Sequence, residues 1–177
     1  IEDIASDDLG ITTTLSGGKI MRARILVGAD GRNSRVRTLA GIDIKDYPCG
    51  QQAITCLIGH SQPHHNISSE FHRSGGPFTL VPPPGQVSSV VWVEHDSDID
   101  RFMKLRRQDF ESALQERTSN LLGKIHLVTL PESWPLKLMR ATSFIAPRMA
   151  LMAEAAHVVH PLGAQGLNLS LRDVAVL

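Results

Sequence analysis

The sequence has few cysteines and few aromatic residues, and neither sign of charge predominates. Its 177 residues include two cysteines, one tyrosine and two tryptophans, and 18 basic side chains balance 18 acidic ones. Cys49 and Cys56 are too few for a disulfide scaffold and lack the spacing of a metal site. Balanced charge provides no basic footprint for DNA or RNA, so we expect no nucleic-acid partner. Reduced thiols favour a cytoplasmic protein.

Long apolar runs and a secretion signal are also missing. No apolar run reaches the about 18 residues of a transmembrane helix, and Glu2, Asp3, Asp7 and Asp8 stand where a signal peptide would be basic. We expect no transmembrane segment and leave peripheral association with the inner membrane open. The chain starts at Ile1 and stops within a helical pattern. We therefore expect a fragment of a longer protein, with apolar edges that favour self-association.

The hydrophobic pattern predicts an α+β chain, a fragment of an α/β family, in three segments. Residues 1–46 contain a hairpin, a buried strand and a short helix that begins at Asn33 or Ser34. Residues 47–144 form a mixed, mostly antiparallel sheet covered by a two-piece helix, with Phe110, Leu114 and Leu121 in the core. Residues 145–177 form a strand, a loop and a helix from about Gln165. We expect this helix to bury an apolar stripe of Leu167, Leu171 and Val174.

Two loops have compositions that suit ligand binding. The first, Gly28-Ala29-Asp30-Gly31-Arg32-Asn33-Ser34-Arg35-Val36-Arg37, follows the first buried strand. Its carboxylate can accept hydrogen bonds from hydroxyl groups, and the amides of the following helix suit phosphate. A plain Asp-Gly turn with a serine cap is the alternative.

The second loop runs from Ala153 to Asn168 and has a carboxylate at its start and two glycines near its end. Glu154 follows a strand, Pro161 fixes the loop, and Gly163 and Gly166 expose amides at a helix N-terminus. The partial positive charge of such a terminus favours anionic ligand atoms.

Together these segments resemble two fingerprints of the FAD-dependent aromatic hydroxylases, the flavoprotein monooxygenases of the p-hydroxybenzoate hydroxylase type. The first fits Gly-Ala-Asp-Gly-x-x-Ser-x-x-Arg, and the second fits Gly-Asp-Ala-Ala-His, Pro and Gly-x-Gln-Gly-x-Asn. Leu171-Arg172-Asp173 and the stretch from Glu70 to Phe78 most resemble the ubiquinone-biosynthesis hydroxylases. The resemblance implies remnants of a Rossmann-like FAD domain (1–46 and 145–177) around a substrate domain. It assigns FAD binding to Asp30, Gly31, Arg37, Glu154, Pro161, Gly163, Gln165, Gly166, Leu167 and Asn168.

The family's chemistry follows from the same resemblance. The intact enzyme would use NAD(P)H, O₂ and FAD to hydroxylate a small aromatic substrate, a ubiquinone-precursor phenol, without a metal. No side chain is identified as a catalytic acid or base. The backbone of Gly166, Leu167 and Asn168 would face the reduced flavin, and Asp30 and Glu154 would hold FAD hydroxyls or the pyrophosphate region.

This chain departs from the family in two places. Ala153-Glu154 replaces the usual Gly-Asp, and no Gly-x-Gly-x-x-Gly is present to cradle the ADP pyrophosphate. We therefore expect the fragment alone to be inactive and to bind FAD weakly.

Other functions remain open from the sequence. Another FAD-dependent oxidoreductase (a reductase or a halogenase) and a non-catalytic binding module that retains the sheet are the alternatives. His60, His64 and His65 lack the spacing of a zinc site and are interpreted as loop histidines.

Overall fold

A computed structural model describes all 177 residues and divides the chain into two compact units. We call Ile1–Cys49 with Lys137–Leu177 the terminal unit, and Gly50–Leu136 the central unit. The sequence placed the domain boundaries at 46/47 and 144/145, a division that stays a prediction. The structural boundaries lie inside two long strands, Ile44–His60 and Glu132–Ala141, because a strand pattern carries no mark where one unit gives way to another.

The chain contains thirteen short and long strands. They are β1 (Asp3–Asp7), β2 (Gly10–Thr14), β3 (Ile20–Ala23), β4 (Leu26–Gly28), β5 (Ile44–His60), β6 (Ser69–Arg73), β7 (Gly76–Val81), β8 (Val87–His95), β9 (Ile125–Leu127), β10 (Glu132–Ala141), β11 (Ile145–Ala146), β12 (Met149–Leu151) and β13 (His157–Val158). The helices are α1 (Arg35–Leu39), α2 (Asp96–Met103), α3 (Arg107–Arg117) and α4 (Gln165–Val176), with 3-10 turns at Ala153–Ala155 and Leu162–Ala164. No helix is long and apolar enough to cross a membrane.

The central unit is built on antiparallel strands in the order β6, β7, β8, β5, with β9 also paired to β5. Alternate residues of these strands face α2 and α3, because side chains of a strand point to opposite faces in turn. Their core contains Ile54, Phe78, Trp92, Phe110 and Leu114, each at most 2% exposed. The predicted mostly antiparallel sheet with a helical cover is confirmed, and the helix is in two pieces as predicted.

The terminal unit contains two small sheets. Strands β1, β2 and β3 are antiparallel, whereas β12 pairs in antiparallel fashion with β11 and in parallel fashion with β4. A core of small and medium side chains, including Ile11, Val36, Met149 and Leu151, packs them together. The sequence pattern missed β1, because Asp-Ile-Ala-Ser-Asp is too polar to stand out and forms a strand only by pairing with β2.

Two predictions about buried side chains are wrong. Leu121 is 52% exposed and the neighbouring Leu122 is buried, because α3 ends at Arg117 and the chain after it leaves helical geometry. The stripe of Leu167, Leu171 and Val174 on α4 is exposed, and no residue of that helix is buried. Helical periodicity identifies residues that share a face but does not show whether another element covers it.

Candidate functional site

The two loops meet because the strands before them are parallel neighbours. β4 and β12 pair Leu26 with Met149 and Gly28 with Leu151, so the loops that follow the two strands leave the sheet at the same end. The amide of Met152 then donates to the carbonyl of Gly28 at 3.0 Å. A side chain at position 28 would lie within 3 Å of Leu151 and Val36, so the close approach of the loops requires glycine there.

Asp30 faces the start of helix α1. Its Oδ1 accepts from the Ser34 hydroxyl at 2.5 Å, and its Oδ2 accepts from the amides of Arg35 (2.7 Å) and Val36 (3.1 Å). Burial acts to raise the pKa of Asp30, but the hydrogen bonds from Ser34 and the backbone outweigh it and lower the pKa below its ordinary value. Three of the about four acceptor positions of the carboxylate are thus used within the loop. The main contact of Asp30 is to its own helix, as in the capping alternative.

Ser34 completes the same arrangement. It is the N-cap of α1, and its hydroxyl accepts from the amide of Arg37 at 3.0 Å. Gly31, with a φ of 82°, makes the turn between Asp30 and Ser34 and has open space where a side chain would lie. The predicted helix start at Asn33 or Ser34 is therefore at Ser34.

Arg37 connects the two loops. Its guanidinium is buried and donates to the carbonyl of Ala155 at 2.8 Å and to that of Arg32 at 2.9 Å. Arg37 thus holds the two loops together through hydrogen bonds. Because its guanidinium is engaged in these bonds, we assign it no direct contact with a ligand.

Glu154 lies on the surface of the second loop. Its carboxylate is paired with the guanidinium of Arg32, with Nε to Oε2 at 3.2 Å and Nη2 to Oε1 at 3.5 Å. Each side chain is about half exposed, at 52% for Arg32 and 51% for Glu154. Because both side chains are exposed, the ion pair adds little stability. For the same reason both charged groups are accessible to a ligand.

The loop before α4 exposes backbone amides. Pro161 accepts a hydrogen bond from the amide of Ala164 at 2.9 Å, and Gly163 and Ala164 take positive φ values of 68° and 51°. The Gln165 side chain donates to the carbonyl of Gly163 at 2.9 Å and so braces the loop. No side chain caps the helix, whose N-cap residue is Ala164.

The first amides of α4 are those of Gln165, Gly166 and Leu167. By helix geometry these three have no intrahelical acceptor, whereas Asn168 donates to the N-cap carbonyl. Gly166 has no atom within 4 Å of the place of a side chain, and Leu167 is 72% exposed. The terminus can therefore receive an anionic or carbonyl-bearing edge of a ligand. Of the three residues that the sequence suggested, Gly166 and Leu167 offer free amides, and Asn168 offers its exposed side chain.

Two residues of this region, Arg32 and Asp173, were not predicted from the sequence to belong to the site. Arg32 adds a cation beside Glu154, and no pattern in the sequence distinguishes it from a surface arginine. Asp173, in the last turn of α4, accepts hydrogen bonds from the second loop. A signal for Asp173 does exist, because an acidic side chain opposes the helix dipole at a C-terminus and so needs a partner.

In the central unit, His60, His64 and Cys56 have structural roles. His60 contacts the carbonyl of Gln62 and the hydroxyl of Ser88, and His64 contacts the carbonyls of Pro83 and Gly85. Cys56 is buried in the core, and burial raises the pKa of its thiol to about 12. Such a thiol is a poor nucleophile.

Solved structures of other proteins share this fold. PqsL from Pseudomonas aeruginosa in complex with 2-aminobenzoylacetate aligns with a TM-score of 0.78 at 21% identity, over 98% of this chain and 50% of that one. HpxO from Klebsiella pneumoniae complexed with FAD and uric acid aligns with a TM-score of 0.73 at 16% identity, over 99% of this chain and 47% of that one. At these identities the likeness concerns the fold alone.

Curated proteins are similar in sequence. Ubiquinone hydroxylase UbiL of Rhodospirillum rubrum is 40% identical over 95% of this chain and 39% of its own length. The 3-demethoxyubiquinol 3-hydroxylase of Escherichia coli is 28% identical over 92% of this chain and 41% of its own length. The human mitochondrial ubiquinone biosynthesis monooxygenase COQ6 is 29% identical over 93% and 42%. The chain thus spans about 40% of the length of the curated relatives that it matches.

A family model gives the same assignment as the two loops. Residues 4–177 match the model described as "FAD binding domain", which covers nearly the whole chain and both loops of the candidate site. The chain therefore belongs to the FAD binding domain family, as its resemblance to the flavoprotein hydroxylases implied.

Proposed function

We propose that the protein acts as an FAD-dependent monooxygenase that hydroxylates an aromatic ring, with NAD(P)H and O₂ as co-substrates and a ubiquinone-precursor phenol as substrate. The observation that carries the proposal is the meeting of two family motifs, about 120 residues apart, beyond parallel strands β4 and β12. The names of the relatives support the substrate class, since three of them act in ubiquinone metabolism by name.

Residues of the terminal unit fit the cofactor in complementary ways. Glu154 would accept hydrogen bonds from hydroxyl groups of FAD, and Arg32 would balance the charge where the pyrophosphate approaches. The free amides of Gly166 and Leu167 would stabilise negative charge on the flavin, and Pro161 and Gly163 would shape the loop that presents them. Asp30 and Arg37 would contribute by holding this framework. When bound, FAD supplies the redox chemistry.

We infer a small aromatic substrate, no resident metal and a cytoplasmic location, with peripheral association at the inner membrane left open. The exposed stripe of Leu167, Leu171 and Val174 supports self-association of this chain, because apolar faces of this kind pair readily in water.

FAD titration of the protein produced from its complete reading frame tests the cofactor assignment. We expect Glu154→Ala to weaken FAD binding about 10- to 100-fold, because a charged acceptor contributes about 1.5–3 kcal/mol. Glu154→Asp keeps the acceptor and should bind more tightly than Glu154→Ala, and Glu2→Ala, at an exposed residue just before β1, is the matched control. A protein that takes up no FAD, or an unchanged dissociation constant for Glu154→Ala, would contradict the assignment.

The reaction is tested by its products. We expect NAD(P)H and O₂ consumption that depends on an added phenol, together with a product that is heavier by one oxygen atom. Consumption of NAD(P)H without an oxygenated product would instead favour the reductase alternative, and a halogenated product in the presence of halide would favour the halogenase.

A further inference from the structure

Asp173 holds two parts of the second loop through a single carboxylate oxygen. Its Oδ2 accepts from the backbone amide of Ala153 at 2.8 Å and from Nε2 of His157 at 2.8 Å. The side chains are 26% exposed for Asp173 and 16% for His157, so water competes only partly for these bonds. A carboxylate that is ionised can only accept, so the imidazole Nε2 is then the donor of this bond.

The bond to Ala153 supports a strained residue. Ala153 has a φ of 53°, in the left-handed region that disfavours any residue with a Cβ atom. The strain is tolerated because the 3-10 turn closes around it, with the amide of Ala156 donating to the carbonyl of Ala153 at 2.9 Å. Glu154 is the next residue in this turn, so the direction of its side chain depends on the conformation of Ala153.

The position of Asp173 in α4 is itself unfavourable without these contacts. It lies in the last turn of the helix, where the partial negative charge of the dipole repels a carboxylate. The two donors from the loop compensate for that repulsion. Gln165, at the other end of α4, is eight residues away, about 12 Å along the helix axis. Because α4 connects the two positions, the bonds of Asp173 link the free amides at the helix start to the turn that contains Glu154.

We propose that Asp173 is a positioning residue of the FAD site, which fixes the Glu154 turn and α4 in one arrangement without touching the cofactor. The inference rests on the proposed function, since it assigns to Glu154 the FAD contact described above. Asp173 acts through Glu154 and the α4 amides, whereas a purely structural residue would affect unfolding alone.

A double-mutant cycle on FAD affinity separates these roles. In the protein from the complete reading frame, we expect Asp173→Ala to raise the FAD dissociation constant about 10-fold, the loss typical of residues that orient a ligating group. Asp173→Asn keeps an oxygen acceptor but loses its charge, and should fall between Asp173→Ala and the parent. Arg172→Ala, an exposed neighbour on the same helix, is the matched control and should leave affinity unchanged.

The background of Glu154→Ala gives the decisive comparison. We expect the effect of Asp173→Ala on FAD affinity to shrink there without vanishing, because Glu154 is gone whereas the amides of α4 remain. An equal loss in both backgrounds, or no loss in either, would overturn the proposal. If Asp173→Ala does not fold, Asp173→Asn carries the same comparison.

Hydrogen exchange provides a readout that needs no FAD. The Ala153 amide should be protected in the parent and in Arg172→Ala, and should exchange faster in Asp173→Ala at conditions where all three remain folded. Unchanged protection in Asp173→Ala would overturn the positioning role. A parent protein that binds no FAD would contradict the proposed function instead, and the exchange measurement would still decide whether Asp173 holds the turn.

Discussion

The two units of the chain are stabilised in different ways. The central unit has one continuous core in which Trp92 contacts Phe78, Phe102 and Phe110 at ring-centroid distances of 4.3–6.2 Å. The terminal unit buries smaller side chains, and polar contacts of Arg37 and Asp173 connect its loops, while those of Asp30 hold the start of α1.

The difference suits the FAD site proposed for the terminal unit. Apolar packing is non-directional and tolerates small shifts, whereas hydrogen bonds fix the directions of loops and helix ends. A site assembled from two loops needs that directional control. The same unit leaves the apolar stripe of α4 exposed, so its stability depends more on each polar contact than that of the central unit does.

The largest loss of stability should come from the central core. Trp92→Ala removes a fully buried indole that packs between the sheet and both helices, and it should lower the free energy of unfolding by about 3–5 kcal/mol. Trp134→Ala, at a side chain that is 55% exposed, should cost less than about 1 kcal/mol. Urea unfolding followed by circular dichroism measures both. Similar losses for the two variants would show that the central unit is not held by this core.

Arg37 should give the next largest effect and test the polar side of the comparison. Arg37→Ala leaves the carbonyls of Ala155 and Arg32 without their donor, and should cost about 2–3 kcal/mol of unfolding free energy. Arg35→Ala, on the exposed face of the same helix, should change stability by less than about 0.5 kcal/mol. If the two variants unfold at the same urea concentration, the buried guanidinium of Arg37 does not stabilise the contact between the loops.

Several of these features could be predicted from sequence. The two buried strands before the loops, the Ser34 cap and the start of α4 follow from local patterns, and the motif pair indicated that distant loops share one site. The hydrogen bonds of Asp30 to its own helix, and those of Arg37 to both loops, could not be predicted. A motif fixes residue types and their spacing but not which partner a polar group takes. The bond from Asp173 to Ala153 joins residues twenty positions apart, a distance at which sequence periodicity carries no information.

Asp30 should show a smaller loss that depends on pH. Asp30→Ala removes the acceptor for the first amides of α1 and should cost about 1–2 kcal/mol near neutral pH. Because the folded state lowers the pKa of Asp30 below the ordinary 3.8, its contribution is present above that value and is lost as pH falls through the lowered pKa. The difference between parent and variant should therefore shrink in acid, while Asn33→Ala should show no such trend. A difference that is constant from neutral pH into acid would contradict the capping role.

The smallest expected effect is a gain, at the strained residue of the second loop. Ala153→Gly removes the left-handed strain of about 1–2 kcal/mol but gives the unfolded chain more freedom, worth about 0.4–1 kcal/mol, so a net gain of about 0.5–1 kcal/mol is expected. Ala156→Gly, at a buried residue of the same loop with a φ of −94°, should lose stability instead. Thermal unfolding of the two variants against the parent measures both signs. A loss of stability in Ala153→Gly would mean that the hydrogen bond from the Ala153 amide to Asp173 holds the residue without strain. The polar contacts of the terminal unit would then have less backbone strain to offset than the geometry indicates.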